Sequence, residues 1–146
     1  VFETFQKILG NIEKVDTLFN FLNKKNSTLH IIITSDIGLC NNKKILESAT
    51  SNILFVSNDK VYSPINKFYK GITLRFFESK LKKIIKKNIL INTLHDYEEI
   101  ILIGSGKGVA SINTINSIKW KRKSLKFYKI LLNFYKIEIN KCSIYT

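Results

Sequence analysis

The segment Glu99-Ile100-Ile101-Leu102-Ile103 runs directly into Gly104-Ser105-Gly106-Lys107-Gly108, and this junction constrains the fold more than any other part of the chain. A short, β-branched, apolar run closed by glycine reads as a buried strand. Beyond the glycines, Val109, Ile112, Ile115 and Ile118 are spaced as the inward face of a helix. Strand, glycine turn and helix make an α/β unit. Glycines at alternate positions free the backbone to bring N–H groups close to an anion, and the positive end of a following helix adds to the attraction. A Walker turn is excluded: it needs a Gly four residues before the final Gly-Lys and a hydroxyl after the Lys, where Gly108 stands. The dinucleotide fingerprint also fails, since its third Gly falls at Val109. A tight structural turn and a contact to a phosphate backbone are the readings that stand.

Other segments carry their own periods. Phe2, Phe5, Leu9, Ile12, Val15, Phe19 and Leu22 predict an amphipathic helix over residues 2–22, and Leu29–Thr34 predicts a strand broken by Asp36-Ile37-Gly38. Asn52–Ser57 and Lys60–Ser63 flank Asn58-Asp59, two residues that tolerate left-handed backbone angles, so a tight hairpin is expected. From Arg75 to Asn88, Phe77, Leu81, Ile84 and Ile85 share one face among lysines, predicting a basic amphipathic helix. The mixed aromatic and basic tail, Leu125 to Ile139, partly alternates and reads as strand. The chain of 146 residues is expected to form one domain with an appendage: residues 1–44 as a helix-then-strand extension, 45–146 as the main domain.

Charge points to a polyanion. Lys and Arg number 24 against 11 acids, and 18 of the basic groups face only seven acids in residues 45–146. Abundant Ile, Lys and Asn with two Arg reflect an A/T-rich genome, which inflates lysine generally, so placement counts for more than total. From Ile118 to Lys136 seven cations meet no acid, with Trp120, Phe127 and Tyr128 among them. Such interleaving suits RNA, where lysines meet phosphate and rings stack on unpaired bases. No run of 18 uncharged apolar residues exists to span a membrane. The absence of Met and the start at Val1 imply a true N-terminus that is processed or lies upstream. Catalytic signals are sparse: Asp96, Glu98 and Glu99 read as a solubilised turn, and His30 and His95 as structural. Cys40 and Cys142 read as free thiols, with no metal-ligand spacing about them.

Two resemblances follow. Thr34-Ser35-Asp36-Ile37-Gly38-Leu39-Cys40 after an apolar strand resembles a segment of the gamma subunit of rotary ATP synthases, which gives a rotor subunit as the alternative. Residues 45–142 resemble protein eleven of the small ribosomal subunit over a longer span. Ser51–Phe55 stands for its N-N-T-[IV]-V segment, Phe68-Tyr69-Lys70-Gly71 for G-F-K-G, Gly104–Gly108 for G-x-G-x-G, and Ile139–Ser143 for H-N-G-C-R. Val109 replaces the Arg expected after the glycines, and the basic tail beyond Cys142 is absent. That resemblance implies a ribonuclease-H-like α/β fold, a mixed sheet flanked by helices, and a non-enzymatic constituent of the small subunit. It implies ribosomal RNA, neighbouring platform proteins and the mRNA exit region as partners, with no membrane, cofactor or small-molecule substrate. The location implied is a mitochondrial ribosome, with plastid or cytosolic ribosomes as alternatives. The RNA contacts implied are Ser51, Asn52, Lys67, Lys70, Gly71, Arg75, Gly104, Gly106, Lys107, Gly108, Lys119, Trp120, Lys121, Arg122, Lys123, Lys126, Lys129 and Lys141.

Overall fold

In the computed structural model the residues described are 27–32, 36–41, 43–48, 51–65, 69–115 and 118–142. The helix expected over residues 2–22 and Lys67 lie outside them. Five strands form a mixed sheet in the order β6-β5-β4-β8-β9: β4 (Asn52–Ser57), β5 (Lys60–Ser63), β6 (Ile84–Lys86), β8 (Glu99–Gly104) and β9 (Gly108–Ser111). Its neighbours pair antiparallel except β5 with β6. A second sheet, in the order β1-β2-β3-β7, joins Ser27–Ile32, Asp36–Asn41, Lys44–Ser48 and Ile89–Leu90. Strand β3 crosses residues 44 and 45 and pairs with β2 on one side and β7 on the other. Trp120–Lys121 (β11) pairs with Thr114–Ile115 (β10).

Strands β4 and β8 are central and buried on both faces, which is why their sequences are continuous apolar runs. The period of two divides them. Ile53, Phe55, Ile100 and Leu102 face a core containing Leu94, Tyr97, Ile115 and Trp120. Leu54, Val56, Ile101 and Ile103 face helices α1 (Ile72–Lys80) and α2 (Lys126–Lys141), meeting Leu74, Phe77 and Leu131. Leu74, Phe77 and Leu131 are 0% exposed, and complete burial of such a side chain is worth about 1.5–3 kcal/mol. The fold is therefore mixed α/β with sheets flanked by helices. The Asn58-Asp59 hairpin forms as expected, with φ of 49° and 57° at its two turn residues.

Three expected elements differ. The residues after the glycines form β9, not a helix: Val109, Ala110 and Ser111 pair with Ile103, Leu102 and Ile101, so strand pairing takes the apolar positions that also fit a helical period. The basic helix ends early, at Lys80, where Leu81 turns extended (φ −84°, ψ 139°); Ile84–Lys86 then adds to the sheet edge beside β5. The tail is helix α2 rather than strand, because Phe127, Leu131 and Tyr135, four residues apart, pack on the same core.

Candidate functional site

Four pieces of chain meet at one end of the five-stranded sheet. The register places Asn52 opposite Ile103 and Gly104 opposite Gly108, so the start of β4, the end of β8 and the start of β9 share that end. Strand β5 finishes there too, since Phe55 pairs with Tyr62, and the chain beyond it leads to the N-terminus of α1.

The acidic component is Glu47, half-buried near the end of β3. Directly after it the chain folds back: Ser48 donates to Ser51 O through its N–H (2.8 Å) and its hydroxyl (3.0 Å), which turns β3 into β4. Burial pushes the Glu47 carboxyl above the usual carboxylate range, and the Tyr69 N–H, donating to Oε2 at 3.1 Å, offsets only part of that.

The positive component is the start of α1. Gly71 is the N-cap, no side chain caps this end, and the first turn holds no acid. The first-turn N–H groups of a helix have no intrahelical acceptor, and with the helix dipole they attract anions. Asn52, 7% exposed, ties the two components together. Its Nδ2 donates to Tyr69 O (2.6 Å) and its Oδ1 accepts from Gly71 N–H (3.1 Å). A Cβ on Gly71 would stand 2.9 Å from Asn52 Oδ1, so a larger residue there would force the Asn52 amide to shift. One strut, Tyr69 to Gly71, thus touches the carboxylate and the asparagine and opens the helix.

Behind the strut, Lys70 Nζ and Lys86 Nζ each lie 2.5 Å from the Glu78 carboxylate. Burial works against the Glu78 charge, but the two lysines outweigh it and hold the carboxyl below the usual range. The glycine turn lies at the same end of the sheet. Gly106 has open space where a Cβ would go, whereas Gly108, at φ +71°, has Tyr135 Cε1 at 3.0 Å from that point.

Of the residues expected to touch RNA, Ser51, Asn52, Lys70, Gly71, Gly104, Gly106, Lys107 and Gly108 gather at this end of the sheet. Arg75 is exposed along α1. The basic cluster is spread over other elements. Trp120 is 1% exposed, with its indole N–H donating to Tyr97 O (3.1 Å), so it cannot stack on a base. Tyr128 packs against the α-helical side of the core. Arg122 donates to Ser111 Oγ, Lys123 to His95 O and Lys126 to Asp59 Oδ1, and Lys141 pairs with Glu138. Lys119 sits in a turn at φ 54°, while Lys121 and Lys129 are exposed on β11 and α2. Sequence reasoning missed Glu47, Thr73 and Tyr135. For Glu47 a signal existed, a lone acid in the strand Lys-Ile-Leu-Glu-Ser before a polar turn. Among the described residues no cluster of His, Cys, Asp and Glu could hold a metal, and no helix is long and apolar enough to cross a membrane.

A family model of class IV amino-transferases matches residues 34–115. No curated protein matches. Among solved structures, a putative branched-chain amino acid aminotransferase from Thermotoga maritima is similar at a TM-score of 0.62 and 17% identity, over 73% of this chain and 42% of that one. An aminotransferase from Brucella abortus, bound to the cofactor PLP, gives 0.62 and 19%, over 73% and 40%. A putative 4-amino-4-deoxychorismate lyase from Legionella pneumophila gives 0.60 and 17%, over 69% and 41%. The chain spans about two fifths of the length of these proteins.

These matches overturn the ribosomal resemblance, and with it the ribonuclease-H-like topology: the fold is that of the aminotransferase structures. The physical reason is visible in the glycine turn, which closes a β-hairpin instead of opening a helix, and in cations engaged within the fold. Ribosomal RNA, platform proteins and the mRNA exit region as partners, the exclusion of a small-molecule substrate, the non-enzymatic reading and the rotor alternative are all overturned by the same family match.

Proposed function

The chain belongs to the class IV aminotransferase family, and from that premise we propose that the site at the sheet end binds pyridoxal 5′-phosphate and serves amino-group transfer between an amino acid and a 2-oxo acid. The observation that carries this reading is the coupling of a half-buried carboxyl and an uncapped helix start through one strut, Tyr69–Gly71. Pyridoxal phosphate needs both: a carboxylate for its ring nitrogen and an anion receptor for its phosphate. When bound, the cofactor supplies an electron sink for charge developing on the substrate.

The residues present fit that demand. Glu47, with Oε2 fixed by Tyr69 N–H, would hold the ring nitrogen, whose positive charge would offset the burial that disfavours the carboxylate. The first-turn N–H groups of Ile72, Thr73 and Leu74 would receive the phosphate, since Gly71 N–H is committed to Asn52 and no acid in that turn opposes an anion. Tyr69 and Ile72, 75% and 77% exposed at the two ends of this stretch, offer an apolar rim.

Amino transfer is tested by following 2-oxo acid production from branched-chain, acidic and aromatic amino donors. The expected result is product that depends on added cofactor and falls sharply in Glu47→Gln. Cofactor binding without product from any donor would sink the transfer step while leaving the binding site standing.

A further inference from the structure

Helices α1 and α2 cover one face of the five-stranded sheet, packing Leu74, Phe77 and Leu131 against Leu54, Val56, Ile101 and Ile103. Their segments carry most of the net charge. Residues 70–87, which hold α1 and the turn into β6, have seven cations against one acid, and α2 has four against one. Together they supply nine of the thirteen net positive charges. Both acids are neutralised within the fold, Glu78 by Lys70 and Lys86 and Glu138 by Lys141, and Asp59 takes up Lys126 in the same way. Arg75, Lys82, Lys83, Lys129 and Lys136 are exposed, and among the described residues none of these five has an ion-pair partner.

Helix α2 also shows aliphatic surface there. Ile130 and Ile137, two helical turns apart, are 38% and 47% exposed, and each follows an exposed lysine, Lys129 and Lys136. The aromatic rings of this layer, Phe76, Phe77, Phe127, Tyr128, Phe134 and Tyr135, pack against the core instead. An approaching partner thus meets cations and isoleucines, with the rings turned to the sheet. Single-stranded nucleic acid is held by rings on which bases stack, and a second copy of the chain would bring like charge to like. An anionic bilayer suits both components, phosphates for the lysines and an acyl boundary for the isoleucines.

We propose that this helical face docks on an anionic membrane surface, with Lys82, Lys83, Lys129 and Lys136 at the headgroup phosphates and Ile130 and Ile137 at the acyl boundary. The proposal is independent of the cofactor reading, since it uses none of the residues assigned to that site.

The test is co-sedimentation of the full chain with vesicles of phosphatidylcholine alone, and of phosphatidylcholine mixed equally with phosphatidylglycerol. Partitioning onto the anionic vesicles should exceed that onto the neutral ones by at least about tenfold and should fall as salt is raised. Lys129→Glu with Lys136→Glu should lose at least about tenfold of the anionic binding, and Ile130→Ser with Ile137→Ser at least about threefold. Lys44→Glu with Lys121→Glu makes the same charge change on β3 and β11, strands whose Ile45 and Trp120 pack in the other core, and should retain most of the binding. Urea midpoints show whether each variant is folded; if the isoleucine pair is not, Ile137→Ser alone takes its place. Equal binding to the two vesicle types, equal losses in the two lysine pairs, or full binding by the folded isoleucine variant would overturn the proposal. So would a chain that binds single-stranded RNA and leaves both vesicle types untouched.

Discussion

Replacing Asn52 by Ala removes the side chain that ties β4 to the strut at the head of α1. Two hydrogen bonds are lost, Nδ2 to Tyr69 O at 2.6 Å and Gly71 N–H to Oδ1 at 3.1 Å. At about 0.5–1.5 kcal/mol each, they amount to about 1–3 kcal/mol. Tyr69 is 75% exposed and Gly71 partly so, which lets water re-pair the freed backbone groups and keeps the cost in the lower half of that range. A loss of about 1.5 kcal/mol lowers the melting temperature of a chain this size by roughly 3–6 °C. The assay is urea unfolding of the cofactor-free chain, with amide exchange measured at Gly71. Asn52→Asp separates structure from charge: Oδ1 still accepts from Gly71, but a carboxylate now faces Tyr69 O and stands at the helix start, where it competes with an anion. Its affinity for the phosphorylated cofactor should fall further than in Asn52→Ala. An Asn52→Ala chain with unchanged urea midpoint and unchanged Gly71 exchange would refute the strut.

Three other outcomes follow from the same geometry. Glu47→Gln should raise the melting temperature of the cofactor-free chain at pH 7 and weaken cofactor binding; a carboxyl raised by burial favours its protonated form when folded, so its charge costs stability as pH rises through that range. Thermal melts with and without cofactor check both signs. Glu78 is depressed, so the stability it contributes is present above the usual carboxylate range and is lost as pH falls through its lowered value; Glu78→Gln should flatten the acid limb of a pH–stability curve measured by urea unfolding. Leu131→Ala, at a fully buried site between α2 and the sheet, should cost about 2–5 kcal/mol in urea unfolding, and a cost under 1 kcal/mol would mean that α2 is not packed as described.

Much of the fold was legible in local pattern. The apolar runs of β4 and β8 announce strands buried on both faces, and Asn58-Asp59 announces its hairpin because few residue pairs accept two left-handed conformations in succession. The segment after Gly108 was misleading because apolar residues every three positions fit a helix, while the hydrogen-bonding edge of β8 decided the outcome. Helix α2 had a readable signal, Phe127, Leu131 and Tyr135 at helical spacing, that its aromatic and β-branched content obscured. The site was half visible. Asn52, Gly71 and the glycine turn were singled out, but as places where cations and backbone meet an RNA. The decisive group is an acid, Glu47, and its meaning depends on burial and on Tyr69, 22 residues further on, which no local pattern encodes. Lysine-rich composition drew attention to charge that the fold spends in pairs such as Lys126 with Asp59 and Lys70 with Glu78.

Titration with pyridoxamine 5′-phosphate tests most directly whether Glu47 and the start of α1 together receive one cofactor. That probe lacks the aldehyde that would react indiscriminately with the 22 lysines of this chain. Saturable one-to-one binding, competed by inorganic phosphate and weakened in both Glu47→Gln and Asn52→Asp, is the expected result. Absence of saturable binding, or binding indifferent to both substitutions, would contradict it.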